Sequence, residues 1–314
     1  MYERTPHTDC TETRIGLAYG LAAYLWWGLA PIYFKAVAAV PAVEVLAHRV
    51  VWSAVLLAGL LLVKRRVREA LGAVRDRRTA GLLAVTTVLI AVNWLTFIFA
   101  VANGYLLQAS LGYYVNPLLN VVLGFVILRE RLRPLQWVSV AIAAVGVAYF
   151  TLRLDTFPWV AAVLAVTFGT YGLLRKTARV EALTGLAVET TLLAPLAAGY
   201  MVYLWTHGGK FGQVSRRLDV LLVAAGVVTT LPLLWFTHAA RRLRFVTIGF
   251  LQYVAPSAQF LLAVLAFGER FTPAHAVTFG CIWAALILFS TESVLRYRAA
   301  ARRDVRAVSP LGDS

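Results

Sequence analysis

Along this chain the apolar positions neither alternate nor keep to one face of a helix. They gather in stretches of about 20 residues, separated by short polar runs. A helix of that length covers roughly 30 Å, the thickness of a bilayer's hydrocarbon core. The pattern predicts an all-α integral membrane protein with ten transmembrane helices, near residues 15–34, 43–63, 80–102, 106–128, 134–152, 157–174, 183–205, 219–239, 245–267 and 273–292. So few residues remain for connections that no sizeable extramembrane domain is expected. Ala36-Val37-Ala38 has the small residues of a signal-cleavage site. The apolar run before it is longer than a signal core, so it is read as a span.

Composition narrows the function classes. Of 314 residues, 60% are apolar and 14% charged, well outside the range of soluble domains. A soluble enzyme, a disulfide scaffold and a disordered chain are excluded. Cys10 and Cys281 share no CxxC or Cys/His spacing, so neither a metal nor a cofactor is expected. A net charge of +15 would suggest nucleic acid in a soluble chain, but here the basic residues lie between apolar runs and report topology. With the N-terminus in the cytoplasm, inside segments hold 23 Lys and Arg, seven of them in 64–78, against 6 outside. The positive-inside rule then places both termini in the cytoplasm.

Sliding the chain against itself by 139 residues shows an internal repeat: Phe97, Tyr114, Pro117, Glu130, Arg131 and Pro134 meet Phe236, Tyr253, Pro256, Glu269, Arg270 and Pro273. The expected organisation is a tail at 1–14, five spans in 15–152, five more in 153–292, and a basic tail at 293–314. Five is odd, so the second half enters the membrane inverted. Inverted repeats of this kind build carriers that open alternately to either side.

The runs AYLWWGLAPIYFK (23–35), EVLAHRVVWS (44–53), NWLTFIFAVANG (93–104), ASLGYYVNPLLNVVLG (109–124) and GFLQYVAPSAQFLLAVLAFGER (249–270) resemble the RarD branch of the EamA family, within the drug/metabolite transporters. The resemblance spans about residues 14–292. It implies a ten-span permease in two EamA repeats that moves a small organic solute such as a metabolite, amino acid or drug-like compound. It carries no substrate-binding residues over to this chain.

Ionisable residues inside apolar runs are costly and usually face a cavity or a partner. Arg49 lies about 10 Å into the second run. Glu44 and His48, four residues apart, share a helical face and suit a proton relay or a structural pair. An offset of 140 residues sets Glu189 opposite Arg49 in the repeat. The two are expected to approach, directly or through a bound polar solute, in an occluded intermediate. Asn93, Gln108, Tyr113, Tyr114, Asn116, Gln252 and Tyr253 either line the solute pathway or tie helices together. Trp27, Trp94 and Tyr171 belong to the pathway or to interfacial belts. Pro117 and Pro256 are read as kinks or hinges that free backbone carbonyls.

The expected partners are a small organic solute, the lipid bilayer, and a coupling proton or exchanged solute. The sequence leaves the substrate and the oligomeric state open. The alternatives are a channel, a transport-inactive sensor and, further off, an intramembrane enzyme. No GxSG or HExxH occurs, and none of the six Asp lies in the interior of an apolar run. Gly209-Lys210 lacks the upstream Gly and the following Ser/Thr of a P-loop, so no ATP hydrolysis is expected.

Overall fold

The computed structural model describes residues 6–128, 134–154, 157–178, 180–240, 242–243 and 251–308. The described residues form helices and no strand. They are α1 (Pro6–Ala36), α2 (Ala42–Val63), α3 (Val67–Arg75), α4 (Arg77–Ala102), α5 (Leu106–Leu128), α6 (Pro134–Leu154), α7 (Trp159–Thr177), α8 (Ala182–His207), α9 (Arg216–Ala240), α10 (Val254–Leu261) and α11 (Pro273–Val308), with a π-helical turn at Leu262–Ala266 after α10. Seven segments are long and apolar enough to cross a membrane: Glu12–Ala36, Ala42–Val63, Arg77–Ala102, Pro134–Arg153, Leu183–His207, Arg216–Ala239 and Pro273–Thr291. Trp159–Arg175 and Val254–Ala266 are shorter apolar helices. Leu62, Val126, Leu196, Trp205 and Leu265 leave large apolar side chains exposed, as a lipid-facing surface requires.

Four boundaries differ from the sequence reading. α1 begins at Pro6, inside the expected N-terminal tail, and α11 continues through the expected basic tail to Val308. The 64–78 connection contains α3, whose Val67, Ala70, Leu71 and Val74 fall on one helical face. Val67 and Ala70 pack against the cluster of Leu57, Leu61 and Leu183. Asp76 then closes α3 and caps α4, accepting hydrogen bonds from Thr79 N at 3.1 Å and Thr79 Oγ1 at 2.5 Å. The expected ninth span is interrupted: α10 gives way to the π turn and ends before Gly268, at φ 66°. The start of that span, 244–250, lies outside the described residues, as do Glu130 and Arg131 of the repeat.

Two compact units result, Met1–Tyr114 with Trp159–Arg270, and Val115–Pro158 with Phe271–Ser314. In the first, α1 packs on α9 and α10, α4 on α7 and α8, and α2 on α8 and α9. Exchanging the first five expected spans for the second five turns the α1–α9 pair into α7–α4, and α2–α9 into α8–α4, while α2–α8 maps onto itself. Two close approaches need glycine: a Cβ on Gly28 would collide with Ala258, and one on Gly112 with the Ala161 backbone. The repeat-related Tyr114 and Tyr253 stack on each other, with centroids 6.4 Å apart and planes at 18°. In the second unit, α6 packs on α11. There Gly146 lies against Cys281, and Thr278 Oγ1 donates to the Gly146 carbonyl at 3.0 Å.

Candidate functional site

α2 starts directly after Pro41, whose fixed φ suits a chain turning into a helix. Arg49 sits two turns further on. Its guanidinium carbon lies 4.2 Å from the ring centroid of Trp94 and 5.6 Å from that of Phe34. Both are cation–π distances. The phenols of Tyr113 and Tyr33 are the titratable groups that act on it electrostatically. No carboxylate lies within 4.0 Å of it among the described residues, and its buried Nε donates to no acceptor. Arg49 therefore brings a positive charge among aromatic faces, with no counterion among the described residues.

The neighbouring polar groups are engaged elsewhere. Asn93 donates to Thr167 Oγ1 at 2.9 Å and to the Leu164 carbonyl at 3.2 Å, and accepts from Tyr113 OH at 3.2 Å. This one amide ties α4, α5 and α7 together. Tyr33 OH donates to the Leu221 carbonyl at 2.8 Å, joining α1 to α9. The ring of Tyr113 meets Phe97 and Phe168, each with centroids 5.9 Å away. Around Arg49 the residues thus supply one cation and a set of fixed aromatic surfaces.

Glu189 is fully buried, but its partners are not those expected. Thr86 Oγ1 donates to Oε1 at 2.6 Å, Tyr171 OH donates to Oε2 at 3.1 Å, and Arg175 Nε stands 3.8 Å from Oε1. No ion pair joins Glu189 to Arg49. The approach expected from the repeat is absent from this conformation, because Arg175, one turn after Tyr171 on α7, takes the role of cation. Tyr171 also stacks on Phe168.

Glu44 and His48 do lie together at the start of α2, both buried, but each serves a different contact. Glu44 Oε1 accepts from the amides of Lys210 at 2.7 Å and Phe211 at 3.2 Å, pinning the loop between α8 and α9. His48 stacks against Phe211 with centroids 4.7 Å apart, and its Nδ1 accepts from Trp52 Nε1 at 3.3 Å. Glu269 makes a second clamp of this kind: its two carboxylate oxygens accept from Leu106 N and Leu107 N, each at 2.8 Å, and so cap α5.

The other expected residues scatter. Trp27 packs on Tyr24 and Phe236, and its carbonyl accepts from Gln259 Nε2 at 3.3 Å. Tyr114 OH shares a 2.6 Å hydrogen bond with Ser257 Oγ, and Ser257 Oγ donates to the Tyr253 carbonyl. Gln108 buries an Oε1 with no hydrogen-bond partner among the described residues, and Gln252 is half-buried. Asn116 belongs to the second unit, with a buried Oδ1 that accepts no hydrogen bond among the described residues. Pro117 continues α5, and its side chain lies outside the described ones. Pro256 occupies the first turn of α10, where a missing amide costs little, and its carbonyl accepts from Ser110 Oγ at 2.9 Å.

The pathway residues Arg49, Asn93 and Tyr113 therefore share one neighbourhood with Tyr33, Phe34, Trp94, Phe97 and Phe168. Of the latter, Trp94 alone was a candidate for the pathway from the sequence, and Phe97 was marked only by the repeat. Among the described residues no three His, Cys, Asp or Glu converge to hold a metal ion. Separately, a cavity of about 280 Å³ lies at the Val63 end of α2, lined by Lys64, Arg66, Glu181, Leu183, Leu234, Thr237 and His238. Arg66 forms an ion pair with Glu181 on its wall.

The profile of the EamA-like transporter family matches residues 14–152. An uncharacterized transporter of Vibrio cholerae is 50% identical to this chain, over 94% of this chain and 98% of that one. Protein RarD of Escherichia coli is 44% identical, over 92% and 98%. The chloramphenicol-sensitive protein RarD of Pseudomonas aeruginosa is 35% identical, over 92% and 98%. A solved crystal structure superposes with a TM-score of 0.56 at 22% identity, covering 88% of this chain and 96% of that one, a likeness of fold alone. With apolar helices of membrane-spanning length and relatives named as transporters over nearly their whole length, the chain is a multi-pass membrane transporter and belongs to the RarD-like permeases of the EamA family.

Proposed function

We propose that this protein is a secondary carrier that moves a small organic solute across a bacterial inner membrane by alternating access, without hydrolysing ATP. Ten spans in two inverted repeats of five, with both termini in the cytoplasm, would provide the two interchangeable faces. The helix pairs exchanged by swapping the halves, and the stacked Tyr114 and Tyr253, support that symmetry.

The observation that carries the reading is Arg49. A charge within an apolar helix, held between aromatic rings and without a counterion, is costly to the fold. Such a group has value when a solute arrives to meet it. With the orientation given by the charge count, the Glu44 and Glu269 clamps fall on the outer side. The cavity at Lys64 and Arg66 lies on the cytoplasmic side.

The test is counterflow by purified protein in liposomes, against a panel of metabolites, amino acids and amphenicol-like drugs with no nucleotide present. Saturable exchange of at least one solute is expected. Conductance without saturable counterflow would favour a channel, and a requirement for ATP would overturn the reading. For topology, a reporter active only outside the cytoplasm should work when fused near Lys210 and stay silent at residue 70.

A further inference from the structure

We infer that Arg49 receives the carboxylate of a monoanionic organic solute whose apolar body rests on the aromatic rings around it. This deepens the transport reading above and rests on it. The first support is charge. The guanidinium has no carboxylate partner among the described residues, and the polar groups of the surrounding helices are turned to other donors. Asn93 Oδ1 takes the Tyr113 hydroxyl, Glu189 takes Thr86, Tyr171 and Arg175, Glu44 takes two loop amides, and His48 Nδ1 takes Trp52. The second is geometry. Trp94 and Phe34 face the guanidinium carbon at 4.2 and 5.6 Å and so fix the group in place. The N–H edge of a guanidinium is a planar fork that matches a carboxylate with two parallel hydrogen bonds.

Stoichiometry narrows the class further. One cation without a neighbouring cation neutralises one negative charge, which suits a monocarboxylate better than a phosphate dianion. The described residues around Arg49 offer no free carboxylate for a solute ammonium, so an amino group would not be read there. Trp94, Tyr113, Phe97 and Phe168 are the aromatic side chains gathered about the guanidinium, and the rest of the solute would rest on them. Aromatic or branched apolar bodies fit these surfaces, whereas sugars would leave their hydroxyls unpaired.

The test compares isosteric pairs that differ only in charge: phenylacetate with phenylacetamide, indole-3-acetate with indole-3-acetamide, and 4-methylpentanoate with its amide. Phenyl phosphate and phenethylamine serve as the other charge classes. Thermal melting of the detergent-purified full chain is read at pH 7.5. At a hundredfold excess over Kd, at least one carboxylate should raise the melting temperature by about 5 °C, while its amide leaves it unchanged. Arg49→Gln should lose this shift yet melt, without ligand, at or above the wild-type temperature, because an unpaired charge has been removed. Arg49→Lys should keep a smaller shift, a point charge replacing the fork.

The inference is overturned if no carboxylate in the panel shifts the melt, if acid and amide shift it equally, if only the amine or the phosphate does, or if the shift survives in Arg49→Gln. Counterflow separates the two claims. Exchange of neutral or cationic solutes alone would keep the transport reading and remove this one. A carboxylate shift without any exchange would do the reverse.

Discussion

Two sets of charges in this protein are treated in opposite ways. At the helix ends, Glu44 and Glu269 each accept two backbone amides, at 2.7 and 3.2 Å in one case and at 2.8 Å twice in the other. Along α2, only five residues beyond Glu44, Arg49 has aromatic faces but no acceptor. A carboxylate filled by amides is spent on architecture, since its lone pairs satisfy donors that the membrane would otherwise leave orphaned. A guanidinium left unfilled stabilises nothing nearby, and its charge is available to a visitor. Residue type does not separate the two roles. The degree of saturation does.

The largest effect should fall on the unfilled charge. Arg49→Gln should lower solute exchange by about 30-fold or more, the usual consequence of deleting one partner of a buried, hydrogen-bonded charge pair. Membrane insertion and the melting temperature should be preserved. Exchange unchanged in this variant would break the contrast.

The clamps should behave in the reverse manner. Glu44→Ala leaves two amides without an acceptor and should destabilise the protein by about 3 kcal/mol. Glu44→Gln should recover roughly half of this, because its carbonyl still accepts. Glu269→Ala should follow the same order in thermal melting. Solute affinity per folded molecule, read by ligand-induced melting shifts, should change little in either.

A third test concerns Glu189. Its carboxylate is held by Thr86, Tyr171 and Arg175, so swapping charges between Arg49 and Glu189 should rescue no transport. Recovery by the double variant would restore the direct pairing that the repeat suggested. Tyr171→Phe removes one of three contacts and should cost about 1 kcal/mol of stability.

The sequence carried the coarse architecture and part of the site. Apolar run length marked most helices because lipid imposes a length that any spanning segment must meet. The 139-residue offset pointed to Tyr114 and Tyr253, which stack. Arg49 stood out because a charge in an apolar run is rare. Its walls did not, since Phe34, Phe97 and Phe168 are ordinary members of apolar runs until the fold brings them together. Nor was the partner of Glu44 legible: the Lys210 and Phe211 amides are 166 and 167 residues away, and a backbone donor has no side-chain signature. For Glu189, pseudo-equivalence gave part of the surroundings. It set Arg49 opposite but carried no information about Arg175, on the neighbouring helix. α3 was hidden by its own charge, because the basic residues used to assign topology mask a four-residue apolar stripe.

The smallest effect should come from Asp76, the exposed cap of α4. The Thr79 hydroxyl and amide hold its carboxyl below the usual carboxylate range. A carboxylate depressed in the folded state stabilises it above the unfolded pKa, and this contribution fades as pH falls through the folded value. Amide exchange in the first turn of α4 should therefore quicken on acidification below pH 4, and Asp76→Ala should show that faster exchange at neutral pH. Equal protection in variant and wild type would show that the cap contributes nothing.

The most direct measurement of the central claim is nucleotide-free counterflow in liposomes containing Arg49→Gln, beside wild type and Glu269→Gln reconstituted to the same density, using a solute the wild type exchanges. The account predicts saturable exchange by wild type and Glu269→Gln and loss of about 30-fold or more in Arg49→Gln, with all three proteins folded. Exchange by Arg49→Gln at the wild-type rate would contradict it, and would return Arg49 to a structural role within α2.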